Sequence, residues 1–239
     1  MRLIKVRKAL ALLTPAYWRA LRHGVAPSIE HQALAGLDIG TLIDVGANRG
    51  QFTLFARRLF PNVKVFAFEP LAEAAKIFRA LFANEPDIRL FVAAVGERAG
   101  EADMHVTERD DSSSLLPLAQ QTAVFGTREA TRRKVRVERL ARFIDAGALV
   151  PRTLLKIDVQ GYELEVLKGS TELLPAIDYV YVECSHIELY KGQPLAADVM
   201  AFLRGFGFAL TGVYNEFRHP AYGPVQADFL FSKPRHEDS

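Results

Sequence analysis

The chain has 239 residues, 49% of them hydrophobic, and a formal net charge of +2. That length and apolar content can bury one large core, so a single domain with an added terminal segment is expected, and the near-neutral charge gives no general reason to expect a nucleic-acid partner. A single cysteine, Cys184, excludes an internal disulfide and a thiolate metal cluster, which predicts a buried, inert thiol in a reducing, cytoplasmic setting.

Residues 1–40 read as an N-terminal basic helical segment. Residues 1–28 carry Arg2, Lys5, Arg7, Lys8, Arg19 and Arg22 and no acid, while Leu3, Val6, Leu10 and Leu13 form a helical stripe. The apolar run 9–13 is short and leads into Thr14-Pro15 without a convincing cleavage site, which argues against a signal peptide. No stretch approaches the roughly 18 apolar residues of a spanning helix. The favoured expectation is a helix docked on the domain, with Trp18 and Leu21 adding apolar surface. The alternative is a basic amphipathic segment that touches an anionic membrane or glycolipid. Residues 26–40 form a connection, with a short helix started by Pro27 and Ser28 and running through His31 and Leu34.

The domain proper, 41–233, opens on the sharpest local signal, Leu-Ile-Asp-Val-Gly-Ala-Asn-Arg-Gly-Gln-Phe over residues 42–52. Leu42, Ile43 and Val45 suit a strand buried on both faces of a parallel sheet, with Asp44 near its carboxyl end. Phe52, Phe55, Ala56 and Leu59 then recur at helical spacing. Gly46 and Gly50 let the backbone turn sharply and bring N–H groups towards a ligand's negative end. Asn48 stands where a dinucleotide fingerprint has the glycine that admits a pyrophosphate. The turn therefore suits a smaller group, such as the amino-acid end of S-adenosylmethionine (SAM). Glu69 closes a second apolar run, 65–68, where a carboxylate can accept from both hydroxyls of a ribose. The bland alternative is a glycine turn that only joins strand to helix and a glutamate that only caps the next helix.

A helix carrying Leu71, Ala74, Ala75, Phe78, Leu81 and Phe82 leads to a third strand over 88–95. Strand and helix alternate as in a doubly wound sheet, whose ligands lie at the strands' carboxyl ends. Residues 96–151 interrupt the pattern as a β insertion. Ala102, Met104 and Val106 alternate with polar residues, as do Val135 and Val137, around a polar loop at 110–116 and a basic tract including Arg128, Arg132, Arg133, Lys134 and Arg136. Substrate-facing elements are expected here, with the basic tract a solvated face. The wound pattern resumes with a strand over 154–159, a helix through Leu164 and Leu167, a strand over 179–184 and a helix after Pro194. Strands over 208–214 and 226–232 form a closing hairpin, and 234–239 is expected to be a disordered tail.

Four stretches together resemble the FkbM-type SAM-dependent methyltransferases: residues 43–50, Phe68-Glu69-Pro70, Asp111-Ser112-Ser113-Ser114-Leu115, and Leu155-Lys156-Ile157-Asp158-Val159-Gln160-Gly161-Tyr162-Glu163. Residues 182–185, 189–193 and 226–229 look like the same family's C-terminal half. The resemblance implies an α/β, doubly wound, mostly parallel seven-stranded sheet of the class I, Rossmann-like kind, its last strand antiparallel. It also implies O-methylation of a hydroxyl, often on a sugar of a glycan, glycolipid or glycosylated natural product. By this resemblance Asp44, Gly46, Ala47, Asn48 and Gly50 cradle the methionine end of SAM, Glu69 holds its ribose, and Ala93 and Ala94 lie against adenine. Where the family commonly has an acidic pair, this chain has Leu140-Ala141-Arg142-Phe143, which is given no role.

An alcohol attacks a methyl sulfonium poorly unless its proton is being removed, so a base is required. Asp158, Glu183 and His186, at or just past two strand ends, are the catalytic candidates, with His186 or Asp158 as base and Glu183 orienting one of them. Ser112, Ser113 and Tyr190 are expected to bind sugar hydroxyls. Asp158, Glu183 and His186 could in principle hold Mg²⁺, but scattered ligands do not make a metal site, and none is assigned. A nicotinamide-dependent oxidoreductase and a non-catalytic SAM- or nucleotide-binding module remain the alternatives.

Overall fold

The computed structural model describes residues 15–108 and 112–234. The stripe of Leu3, Val6, Leu10 and Leu13, the loop residues Asp110 and Asp111, and the tail 235–239 lie outside the described residues.

The chain builds β1 (Thr41–Val45), α2 (Gln51–Leu59), β2 (Lys64–Phe68), α3 (Ala72–Leu81) and β3 (Ile88–Phe91) in the expected alternation, preceded by α1 (Pro15–Arg22). After the insertion come β7 (Thr153–Ile157), α5 (Glu163–Gly169), β8 (Tyr179–Ser185), α6 (Ala196–Gly205), β9 (Ala209–His219) and β10 (Gly223–Ser232). The seven-stranded sheet has the order β3-β2-β1-β7-β8-β10-β9. β10 pairs antiparallel with both β8 and β9, as the closing hairpin requires, and the other pairings are parallel. β1 and β7 are buried along their whole lengths, which is why their sequences read as continuous apolar runs.

Alternation along the strands divides the core between the two faces. Ile43, Phe66, Leu155, Val180 and Phe229 pack on one side beneath α5 and α6, while Leu42, Val65, Leu154, Tyr181 and Leu230 pack on the other against Phe52 and Phe55 of α2. Cys184 is buried, as its apolar strand predicts.

The single strand expected over 88–95 is instead two. β3 ends at Phe91, and β4 (Ala94–Val95) leaves the main sheet to pair with β6 (Glu129–Glu138), which also pairs antiparallel with β5 (Gly100–Thr107). This three-stranded sheet is the β insertion, completed by the short α4 (Gln121–Phe125). The basic tract lies along β6, where Arg132, Lys134 and Arg136 face Glu129, Asp103 and Glu138 respectively.

The docking surface of α1 differs from expectation. Tyr17 and Ala20 are buried, with the Arg58 guanidinium 5.4 Å from the Tyr17 ring centre, whereas Trp18 and Leu21 are 56% and 41% exposed. Each pair shares a face at i, i+3 spacing, and one residue of offset turns the second pair outward. No helix among the described residues is long and apolar enough to cross a membrane.

Candidate active site

Period-two alternation gathers one row of polar side chains on the α2 side of the sheet. Asp44 follows Leu42, Lys156 follows Leu154, Glu183 follows Tyr181 and Asp228 precedes Leu230, each two residues from a neighbour in the α2 core cluster. Above this row, at the strands' carboxyl ends, lies a cleft of about 620 Å³, within the roughly 300–1,000 Å³ typical of small-molecule sites. The insertion contributes Met104, Ser112, Ser113, Leu115, Gln121 and Phe125 to its wall, so this segment does face the site.

At the floor, Lys156 Nζ lies 3.2 Å from Asp44 Oδ1, donates to the Gly46 carbonyl at 3.1 Å and sits 5.4 Å from the Phe52 ring centre. Thr53 Oγ1 donates to Asp44 Oδ2 at 2.7 Å. Burial alone would depress the Lys156 ammonium, but the charges of Asp44 and Asp158 outweigh it and hold its pKa above the ordinary value. Asp44 is fully buried and does not line the cleft, so the expected cofactor ligand is instead the counter-ion of Lys156. The signal for Lys156 was present in the sequence as a lone cation inside an apolar strand.

The glycine turn also works differently from expectation. Gly46 and Ala47 N–H donate to the Phe68 carbonyl at 3.1 and 3.0 Å, and Asn48 N–H donates to Glu69 Oε2 at 2.9 Å. Leu71 N–H donates to Glu69 Oε1 at 2.7 Å. The turn's first three amides therefore tie β1 to β2 and orient Glu69 instead of pointing at a ligand's negative end. Gly46 is needed for close approach, because a Cβ there would lie 1.8 Å from the Asp158 carbonyl oxygen. Gly50, at φ +96°, packs against Phe82 and Phe78 behind the turn and does not line the cleft. Gly46, Ala47, Asn48, Glu69, Ala93 and Ala94 all do. Burial raises the Glu69 carboxyl to about 7, against the opposing pull of its two backbone hydrogen bonds.

Gln160 is the organising residue that sequence reading missed. Held at φ +57°, it donates from Nε2 to Asp158 Oδ1 and to Glu183 Oε2, both at 2.9 Å. Its Oε1 lies 2.9 Å from the Tyr190 hydroxyl, and its carbonyl accepts from Ser114 Oγ at 2.6 Å. Gln226 Nε2 caps the other Glu183 oxygen at 2.6 Å. Burial, followed by the charges of Asp158, Asp228 and Glu163, pushes the Glu183 carboxyl well above the usual range. Asp158 and Glu183 thus share one amide at the cleft wall.

Of the expected catalytic and acceptor-binding residues, two are not brought to the cleft. Tyr190 is buried, its hydroxyl within reach of both the Ser112 carbonyl, at 3.0 Å, and Gln160, so it braces the loop from behind and is not exposed to an acceptor. Ser112 and Ser113 do line the cleft, and Ser113 Oγ accepts from Thr107 N–H at 3.2 Å. His186 lies three residues beyond Glu183 and therefore on the opposite face of the sheet. There it is exposed, with its ring centre 5.9 Å from that of Phe229. It can neither serve as the base nor complete a metal site with Asp158 and Glu183.

The far end of the cleft holds a second polar group, from four distant segments. Tyr181 donates its hydroxyl to Asp228 Oδ2 at 2.9 Å, and Asn215 Nδ2 donates to the same oxygen at 2.7 Å. His31 Nδ1 lies 2.9 Å from the Tyr181 oxygen and 3.3 Å from Asp228 Oδ2. Asn215, at φ +51°, sits at a register shift between β9 and β10, and that bulge aims its side chain at Asp228.

A family model described as a methyltransferase FkbM domain matches residues 44–210. The chain belongs to the FkbM methyltransferase family. The 31-O-demethyl-FK506 methyltransferase FkbM of Streptomyces tacrolimicus is 32% identical over 220 residues, 80% of this chain and 77% of its own length. The 2-O-methyltransferase NoeI of Sinorhizobium fredii is 30% identical over 165 residues, 65% of this chain and 68% of its own. Membership of the FkbM family makes the protein a methyltransferase and removes the nicotinamide alternative. The FkbM match contains the turn, Glu69, Asp158, Gln160 and Glu183, whereas His31, Asn215, Gln226 and Asp228 lie outside it.

The residues present suit an FkbM-type methyl donor. Oε1 of Gln51 and Oε1 of Gln121, both on the cleft wall, are buried without a hydrogen-bond partner among the described residues. Buried acceptors of this kind call for a ligand rich in donors, and the ammonium, ribose hydroxyls and adenine amine of SAM are such donors.

Proposed function

We propose that the protein transfers the methyl group of SAM to a hydroxyl of a sugar-containing acceptor. The methionine end lies against Gly46, Ala47 and Asn48, the ribose on Glu69, and the adenine between Ala93 and Ala94 and the facing wall. SAM supplies an electrophilic methyl: as the acceptor oxygen bonds to its carbon, the C–S electron pair stays on sulfur, S-adenosylhomocysteine (SAH) departs and the hydroxyl proton passes to a base. Asp158 and Glu183 receive the acceptor's hydroxyls, with Gln160 and Gln226 fixing both carboxyls in place. Ser112 and Ser113 line the opposite wall.

The observation that carries this reading is the shared bracing of Asp158 and Glu183 by one amide beside the donor turn. It presents paired carboxyl and amide groups, which suit a polyol. Two relatives whose names specify O-methylation support the choice of oxygen as acceptor. The test is calorimetric titration with SAH, followed by tritium transfer from labelled SAM to a panel of hexoses and methyl glycosides. Micromolar SAH binding with label appearing in a sugar is expected. SAH binding without label in any hydroxyl compound would favour a non-catalytic binding module, and no SAH binding by folded protein would overturn the reading.

A further inference from the structure

The methyl transfer proposed above needs a proton acceptor, and the carboxyls nearest the donor turn are poorly placed to be one. Both Glu183 oxygens accept amide hydrogen bonds, from Gln160 and Gln226, and Asp158 is engaged by Gln160 at 2.9 Å with Lys156 at 3.9 Å. Each such bond occupies an oxygen that would have to take the acceptor's proton.

His31 is in the opposite situation. The short helix that contains it, Ile29–Gly36, brings it over the sheet, where it lines the cleft and packs edge-on against Phe52 and Tyr181. The groups around Nδ1 favour one tautomer over the other. Tyr181 donates its hydroxyl hydrogen to Asp228, so its oxygen faces Nδ1 as an acceptor, and Asp228 Oδ2 is an acceptor as well. Two acceptors, at 2.9 and 3.3 Å, against one donor, Asn215 Nδ2 at 3.5 Å, favour the proton on Nδ1, and no hydrogen bond among the described residues engages Nε2.

Burial alone would raise Asp228, but the bonds from His31, Asn215 and Tyr181 hold its carboxyl below the ordinary range. Burial and the Asp228 charge push Tyr181 upward, so Tyr181 stays a neutral donor. Glu183, directly opposite Asp228 in the strand pairing, is pushed upward first by burial and then by the charges of Asp158 and Asp228. Two carboxyls on paired strands thus diverge, one held ionised beside an imidazole and one driven towards its neutral form. Such divergence is what acid–base sites are built from.

We propose that His31 is the general base, with Asp228 as its positioning residue: Nε2 accepts the proton of the acceptor hydroxyl as the oxygen–methyl bond forms. The resulting imidazolium is stabilised by the ionised Asp228 beside Nδ1–H, and the proton then passes to water. Tyr181 and Asn215 act through Asp228 by fixing the oxygen that His31 faces.

The inference rests on the methyltransferase reading, and its test separates the two. In ¹⁵N-labelled protein the ring spectrum of His31, identified by its loss in His31→Gln, should show the proton on Nδ1. His31→Gln and Asp228→Asn should bind SAH within about 3-fold of wild type. Methyl transfer to a sugar of the panel should fall in His31→Gln on the order of 10²-fold or more. An Nε2–H tautomer, SAH affinity lost together with His31, or unchanged transfer would each overturn the role of His31. Absence of SAH binding by the wild type would instead overturn the methyltransferase reading, and the tautomer would still report on the His31–Asp228 pair.

Discussion

The two halves of the cleft are assembled in different ways. The donor half comes from consecutive residues: Gly46, Ala47 and Asn48 in one turn, and Glu69 at the end of the adjacent strand, held by amides of that turn. The half proposed for the acceptor joins His31, Tyr181, Asn215 and Asp228, brought together by the short helix Ile29–Gly36, sheet register and a β-bulge. The half proposed for the cofactor is therefore a local motif, while the half proposed for the acceptor depends on long-range packing that brings His31, Asn215 and Asp228 in from outside the family match.

Removing what the halves share should have the largest effect. Lys156 lies beneath both, pairing with Asp44, bonding the Gly46 carbonyl, reaching Asp158 at 3.9 Å and sitting over the Phe52 ring that His31 packs against. Lys156→Met leaves Asp44 buried without its cation, so unfolding in urea should show a loss of about 3–5 kcal/mol. An unchanged midpoint would mean that the pair is not a structural centre. Tyr190→Phe should be milder, about 1–2 kcal/mol, because it removes one hydroxyl from a buried group and leaves the ring in place. SAH affinity should hardly change, since Tyr190 lies behind the acceptor wall; a large loss of affinity would break the separation of the halves.

A pH series sharpens the comparison further. Glu69 is raised from an ordinary 4.5 to about 7 by burial. An ionised carboxylate is the better acceptor for two ribose hydroxyls, so SAH affinity should increase as pH rises through about 7 and then level off. The stability of the ligand-free protein should run the other way. A raised folded-state pKa gives a contribution that is complete below about 4.5 and lost as pH rises through about 7, and Glu163, raised to about 7 by burial, adds in the same direction. In Glu69→Gln the pH dependence of SAH binding should flatten, whereas a retained rise would remove Glu69 from the ribose.

Much of the fold was legible because its signals are local. Buried parallel strands read as apolar runs, α2 and α3 as amphipathic periods, and the β9–β10 hairpin as the closing pair. The split between β3 and β4 was not legible, since Val92 to Val95 continue the apolar pattern of a strand while only Ala94 and Val95 pair, with a different sheet. In the site, Glu69 and the turn were identifiable from spacing, although the amides' true partners were not. His186 was attractive by chemistry and proximity, yet the parity of its position after Glu183 puts it on the wrong face. Asn215 carried no readable signal, and Asp228 stood in a stretch that resembled the family without showing its role, because their meeting depends on a bulge that only the folded pairing reveals. Gln160 was visible within its motif but looked like an ordinary turn residue.

The most direct test of the divided cleft is a crystal structure with SAH bound. The ligand should lie over Gly46–Asn48 with its ribose diol on Glu69, leaving His31, Asn215 and Asp228 facing the space beside its sulfur. SAH in contact with His31 or Asp228 through its carboxylate, or a ribose remote from Glu69, would contradict the division.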